Sequence, residues 1–159
     1  MDQANVERSG RDPAAVAREL LDANRYMTLA TADGDGRPWA APVWYAHQGY
    51  TDLFWVSRPE ARHSRNLSVR PEVGIVVFDS TLPEGSGQAV YMEALASELD
   101  GAERDEGIAV FARRSEALGT ARWEVADVTG TAPLRLYRAR ASAHYVLGER
   151  DQRLPVRLG

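Results

Sequence analysis

The chain of 159 residues contains no cysteine and no lysine. Without cysteine there is no disulfide, no thiolate metal site, no iron–sulfur cluster and no sulfur nucleophile. A reducing, cytoplasmic setting fits that composition. Without lysine, all 19 basic residues are arginine. Each is permanently charged and presents a planar fork of donors suited to phosphate. Basic charge is nevertheless in deficit, since 23 acidic against 19 basic residues leaves a net charge of −4. General affinity for nucleic acid needs a basic surplus, so nucleic acid is not expected as a partner. No stretch approaches the ~18 apolar residues of a membrane span, and no membrane association is expected. The opening segment, MDQANVERSGRDPAAVAREL, has acidic residues and no apolar run, so it does not read as a signal peptide. The three histidines, His47, His63 and His144, are scattered without ligand spacing, so no metal is expected. Neither a Rossmann nor a Walker glycine loop is present.

What is present is the composition of one ordinary globular domain, 44% hydrophobic and 26% charged. A single domain is expected over residues 13–159, after a flexible tail of residues 1–12. Asp12-Pro13 opens a helix, with Asp as cap and Pro at the first helical position. Val16, Leu20 and Leu21 continue it at helical spacing to about residue 23. Alternation then replaces that period in MTLATAD, and Asp33-Gly34-Asp35-Gly36 is a hairpin turn. The partner strand, residues 37–46, carries Pro38 and Pro42 and must be irregular or lie at an edge. Further strands are expected at 53–57, 73–79, 88–99 and 134–147. Helices are expected at 59–69 and 101–118, the latter turning Ile108, Val110 and Phe111 inward. Residues 119–133 are ambiguous. The fold class is mostly β with flanking helices: about six antiparallel strands that remove their open edges by closing into a barrel.

Chemistry concentrates between Arg37 and Pro71. Arg58, Arg62, His63 and Arg65 fall within one loop and the start of a short helix. Free N–H groups at a helix start favour an anion, and arginine adds bidentate hydrogen bonds, so a phosphate monoester is the natural guest. The same charges also suit a solvated surface helix. Beside them lies Pro42-Val43-Trp44-Tyr45. A proline-bearing strand has backbone groups left over for a ligand. The two aromatics suit either the flanks of a flat heterocycle or a packed core. Glu93 is the carboxylate most expected to be buried.

The runs LATADGDGRPWAAPVWY and LFWVSRPEARHSRNLSVRPEVGIVV resemble the pyridoxamine 5′-phosphate oxidase-like family of FMN-binding split barrels. The likeness rests on Gly36-Arg37-Pro38, Pro42-Val43-Trp44-Tyr45, Trp55-Val56-Ser57, Arg62-His63, Asn66-Leu67 and Pro71, in that order and spacing. It covers about residues 27–80. The resemblance implies a six-stranded antiparallel split β-barrel and a flavin (FMN)-dependent oxidoreductase acting on a small molecule. Ala41, Pro42, Val43 and Trp44 match the strand whose backbone contacts the flavin ring and ribityl chain. Val56 and Ser57 match the next strand's contacts, with Ser57 toward the phosphate. Arg62 and His63 match the basic pair on that phosphate, with Arg58 or Arg65 helping. The family usually has Lys at the position of His63, and histidine is only partly charged near neutrality. Gln88 matches a polar residue that reaches the flavin from the barrel's other side. Family members are homodimers with the cofactor in the cleft between subunits. A deazaflavin coenzyme is the alternative cofactor, its acidic tail meeting Arg58, Arg65 and Arg70. A non-catalytic flavin- or haem-binding protein is a further alternative. The Trp-and-Arg signature of true pyridoxamine phosphate oxidases is missing from Tyr145 to Gly159, so that activity is not expected.

Overall fold

A computed structural model describes residues 10–158, and the expected flexible tail lies outside the described residues over positions 1–9. Helix α1 spans Pro13–Ala23, and its cap is the one expected: the Asp12 carboxylate accepts from the Ala14 N–H at 3.1 Å. It buries Ala17, Leu20 and Leu21. Strands β1 (Tyr26–Ala32) and β2 (Pro38–Trp44) form the expected hairpin. At the turn, the Asp33 carboxylate accepts from the Asp35 and Arg37 N–H groups. Then follow β3 (Ala46–Gln48), β4 (Asp52–Ser57), α2 (Arg62–Val69), β5 (Glu72–Phe78), β6 (Ala89–Glu98), α3 (Gly101–Ala117), β7 (Arg135–Leu147) and β8 (Arg153–Val156).

The strands run in the order β2-β1-β5-β6-β7-β4-β3, antiparallel throughout, with β8 added on β7. The two ends of this order are consecutive in sequence. The chain leaves β1 at Trp44 and joins β4 at Ala46, so Tyr45 links the first strand of the sheet to the last. That link closes the sheet into a split barrel of eight strands rather than the six expected. Two elements account for the difference. The expected strand 37–46 divides at Tyr45, whose side chain is fully buried and donates to the Leu21 carbonyl at 2.6 Å. The tail folds back as β8 after a tight turn in which Arg150 and Asp151 take positive φ. The short helix also begins later than expected. Residues 58–61 form a turn, and α2 starts at Arg62.

The barrel is filled by Met27, Leu29, Val43, Leu53, Trp55, Ile75, Val77, Val90, Met92 and Tyr137, with α1 closing one face. A second cluster lies between the β4 side of the wall and α3: Phe54, Leu136, Ile108, Val110, Phe111 and Val128. Alternation along each strand sends one set of side chains to each cluster. The ambiguous residues 119–133 prove to be irregular chain with one 3-10 turn at Val125–Val128, and Trp123 packs edge-on against Phe111.

Candidate functional site

The prolines of β2 define where the site lies. At one end of the hairpin the Tyr45 N–H donates to the Arg25 carbonyl, and at the other the Asp33 N–H donates to the Arg37 carbonyl. Backbone bonding alternates along an antiparallel ladder. Odd-numbered residues of β2 therefore bond to β1, and even-numbered ones turn their backbone toward the free edge. Pro38 and Pro42 occupy even positions, where the ladder needs no N–H. The free edge then carries the carbonyls of Ala40, Pro42 and Trp44 and the N–H groups of Ala40 and Trp44.

Across from this edge lies β4. Ala141 N–H donates to the Thr51 carbonyl, so odd residues of β4 bond to β7 and even residues face the other way. β3 takes Asp52 and Phe54, but its ladder ends at Ala46. The backbone of Val56 is left facing the gap. β2 and β4 thus come together without a ladder between them, and the barrel is split along Ala40–Trp44 on one side and Val56–Ser57 on the other.

Helix α2 stands at one end of this split. Its N-cap is Ala61, which has no side chain able to cap. The first intrahelical bond runs from the Arg65 N–H to the Ala61 carbonyl at 3.0 Å, which leaves the N–H groups of Arg62, His63 and Ser64 without one. The Ser57 hydroxyl lies 2.7 Å from His63 Nε2. The Arg62 guanidinium lies over the Trp39 ring, 4.4 Å from its centre. Burial holds the His63 pKa below its ordinary value, so the imidazole is neutral near pH 7. The rest of α2 is anchored to the hairpin. Asn66, buried, donates to the Thr31 hydroxyl at 3.0 Å. Arg70 donates to the Asp33 and Gly34 carbonyls at 3.2 and 3.3 Å.

The structure therefore brings together Ala41, Pro42, Val43, Trp44, Val56, Ser57, Arg62 and His63 along one split, with Arg58 and Arg65 exposed near its α2 end. It does not bring Gln88 there. Ser57 pairs with Arg135, and β6 reaches that level at Glu98, whereas Gln88 precedes the opposite end of β6. Ten residues of strand separate the two, about 30 Å. Gln88 instead lines a separate cleft of about 420 Å³ with Val16, Val146, Glu149, Gln152 and Leu154. Trp44 and Tyr45 are structural in this chain. Tyr45 is sealed in the core, and Trp44 packs edge-on against Phe111 at 5.0 Å. Arg70 is engaged with the hairpin carbonyls through Nε and one Nη. Glu93, expected to be buried, is exposed because it sits on the outward register of β6. His47 lies in β3 and pairs with Asp22 at 2.9 Å; His144 Nε2 contacts the Tyr50 carbonyl at 2.8 Å. Sequence reasoning missed Trp39; its signal was a large aromatic placed directly after Pro38 at the hairpin mouth. Among the described residues no group of three or more His, Asp or Glu side chains is arranged to hold a metal ion, and no helix is long and apolar enough to cross a membrane.

The family model described as pyridoxamine 5′-phosphate oxidase matches residues 14–148. The chain belongs to this family. No curated protein sequence matches it. Among solved structures, the split barrel is similar to a heme binding protein from Mycobacterium smegmatis, with a TM-score of 0.73 and 21% identity over 92% of this chain. The chain spans 58% of that protein's length. It is also similar to HutZ, the heme storage protein from Vibrio cholerae, with a TM-score of 0.63, 23% identity, and 81% of this chain and 90% of that one covered. A FAD-binding protein from Mesorhizobium loti matches with a TM-score of 0.59, 22% identity, and 84% and 90% covered. At these identities the likeness is one of fold. At the α2 end of this split fixed positive charge comes from arginine alone, since burial holds the His63 pKa below its ordinary value.

Proposed function

We propose that the split between β2 and β4 binds FMN and that the chain is a flavin-dependent oxidoreductase acting on a small molecule. The observation that carries this reading is Arg62, whose donors are paired with no carboxylate among the described residues, beside the uncapped start of α2. An uncapped helix start and a free guanidinium are complementary to a phosphate monoester. The free backbone groups of Ala40, Pro42, Trp44 and Val56 are complementary to the polar edge of a flavin ring. Ala41, half-buried, belongs to the same stretch. Bound flavin supplies the electron transfer, and these residues bind and orient it.

The split of one chain is open to solvent, with Arg58, Arg62 and Pro42 exposed. We propose that a second copy completes it. The outer face of β2, β1 and β5 presents two rows of small or apolar residues, Pro42–Thr28–Val76 and Ala40–Ala30–Gly74. Tyr26 and Phe78, 60% and 49% exposed, also lie on these strands.

A second reading is favoured by one observation. Apart from His63, the candidate proton carriers are elsewhere: Glu93 faces outward, and His47 and His144 are engaged with Asp22 and Tyr50. That suits a protein that carries flavin, deazaflavin or haem without turnover. The absorption spectrum of the purified protein, before and after FMN is added and excess removed, tests the first reading. A protein that stays colourless refutes it. A haem absorption band, or bound flavin that no reductant and electrophile turn over, establishes the second.

A further inference from the structure

Arg62 differs from Arg70, Arg114, Arg138 and Arg140 in what holds it. Arg138 donates to Glu103 at 2.9 Å, and Arg140 binds Asp52 through two bonds of 2.8 and 3.1 Å. Arg70 and Arg114 donate to backbone carbonyls. Each of these commits at least one in-plane N–H donor of the guanidinium to a protein oxygen. Arg62 instead contacts Trp39 at 4.4 Å from the ring centre. A ring offers no acceptor oxygen, so this contact pairs none of the guanidinium N–H donors with a carboxylate or carbonyl. Asp33, near enough for the Arg62 charge to help lower its pKa, forms no ion pair with it, and its Oδ1 already accepts two backbone N–H groups.

Ring and guanidinium sit on two elements that are tied together. Trp39 is opposite Thr31 in the hairpin ladder, and the Thr31 hydroxyl donates to the Trp39 carbonyl at 3.4 Å. Asn66, one helical turn after Arg62, donates to that same hydroxyl. The ring remains 41% exposed, so the core does not account for its presence there.

We propose that Trp39 is a positioning residue for anion recognition: it holds the Arg62 guanidinium against its ring, without a carboxylate, so that N–H donors stay free for the oxygens of a phosphate monoester. This deepens the FMN reading and rests on it. An aromatic ring does what a carboxylate at the same place cannot, because a carboxylate would occupy the donors and cancel the charge.

The test compares FMN, riboflavin and inorganic phosphate on the full chain, in the unaltered protein and in Trp39→Leu, Trp39→Phe, Arg62→Ala and the Trp39→Leu/Arg62→Ala double variant. Affinities for the flavins come from fluorescence titration and for phosphate from phosphorus NMR. Loss of an exposed to partly buried cation–π contact predicts roughly threefold to tenfold weaker FMN binding in Trp39→Leu. Riboflavin affinity stays unchanged, Trp39→Phe recovers most of the loss, and the double variant is no weaker than Arg62→Ala. Equal FMN affinity in Trp39→Leu, an equal loss for riboflavin, or losses that add in the double variant overturn the proposal. If the unaltered protein binds no flavin, the cofactor reading falls, and the phosphate arm decides this one. Phosphate binding weakened alike by Trp39→Leu and Arg62→Ala upholds it, and phosphate binding that is absent or indifferent to Trp39 overturns it.

Discussion

The Ser57 hydroxyl and His63 Nε2 are 2.7 Å apart and join the last residue of β4 to the first turn of α2. The contact crosses the mouth of the split at the point where the chain turns from strand to helix. It also ties up the one histidine in the site.

The first prediction concerns pH. Burial depresses the His63 pKa in the folded protein relative to the unfolded chain, whose histidine titrates near 6.5. Below about that pH the unfolded chain binds more protons than the folded one, so stability rises with pH there. The contribution is complete above the unfolded value and is lost as pH falls through the folded one. Urea unfolding followed between pH 5 and 8 is expected to show a decline on the acid side that flattens in His63→Gln. An unchanged slope in that variant would place the dependence on another group.

The second prediction concerns the phosphate end. Arg62→Ala is expected to weaken FMN binding at least tenfold, since a hydrogen bond to a charged group contributes roughly 1.5–3 kcal/mol. Riboflavin, which lacks the phosphate, should bind both proteins equally. Titration calorimetry with the two ligands separates them; an FMN affinity that survives the change would put the phosphate elsewhere.

Asn66 is the buried link between α2 and the hairpin. Asn66→Ala removes one partner of a buried hydrogen bond and is expected to destabilise the fold by about 1–3 kcal/mol. Denaturant midpoints at constant slope check this. A cost near zero would mean that α2 is held by Arg70 and Leu67 alone.

Gly107 lies where α3 approaches the barrel wall. A Cβ there would stand 2.9 Å from Phe54 Cε1 and 3.0 Å from Leu136 Cδ2, both on buried side chains. Alanine normally gains up to about 1 kcal/mol over glycine inside a helix. Here overpacking, roughly 1–3 kcal/mol, opposes that gain and outweighs it. Gly107→Ala should lower the melting temperature; a rise would show that α3 shifts outward freely.

The proposed dimer is tested on the outer face. Val76 is paired with Thr28 there. A charge at that position is expected to split the homodimer without touching the barrel core, so Val76→Asp should halve the mass measured by sedimentation. A monomeric unaltered protein would rule the dimer out directly.

The local elements were legible because local rules govern them. Asp12-Pro13 announces α1, the Asp-Gly repeat announces the hairpin, and Pro38 and Pro42 announce a free strand edge. The ordered spacing from Gly36 to Pro71 made the split and its basic end legible as a family pattern. Other features were not legible, since they depend on which strands become neighbours. Tyr45 reads as part of one strand, yet its burial against Leu21 makes it the corner at which the chain changes partners. The four residues Arg153–Val156 become β8 only because β7 offers them an edge. Gln88 is adjacent to the site by pattern and distant by strand length. Trp39 acquires meaning only when α2, more than twenty positions later, lays Arg62 across it.

The sequence by itself determined the cap of α1, the hairpin turn, the alternation that builds the walls and the charge type at the ligand end, for these depend on residues close along the chain. Only the tertiary structure decided that His63 is neutral, that Arg70 is committed to the hairpin and that Arg62 keeps its donors free. Burial and partner choice set all three, and both arise only when segments far apart in the chain are packed together.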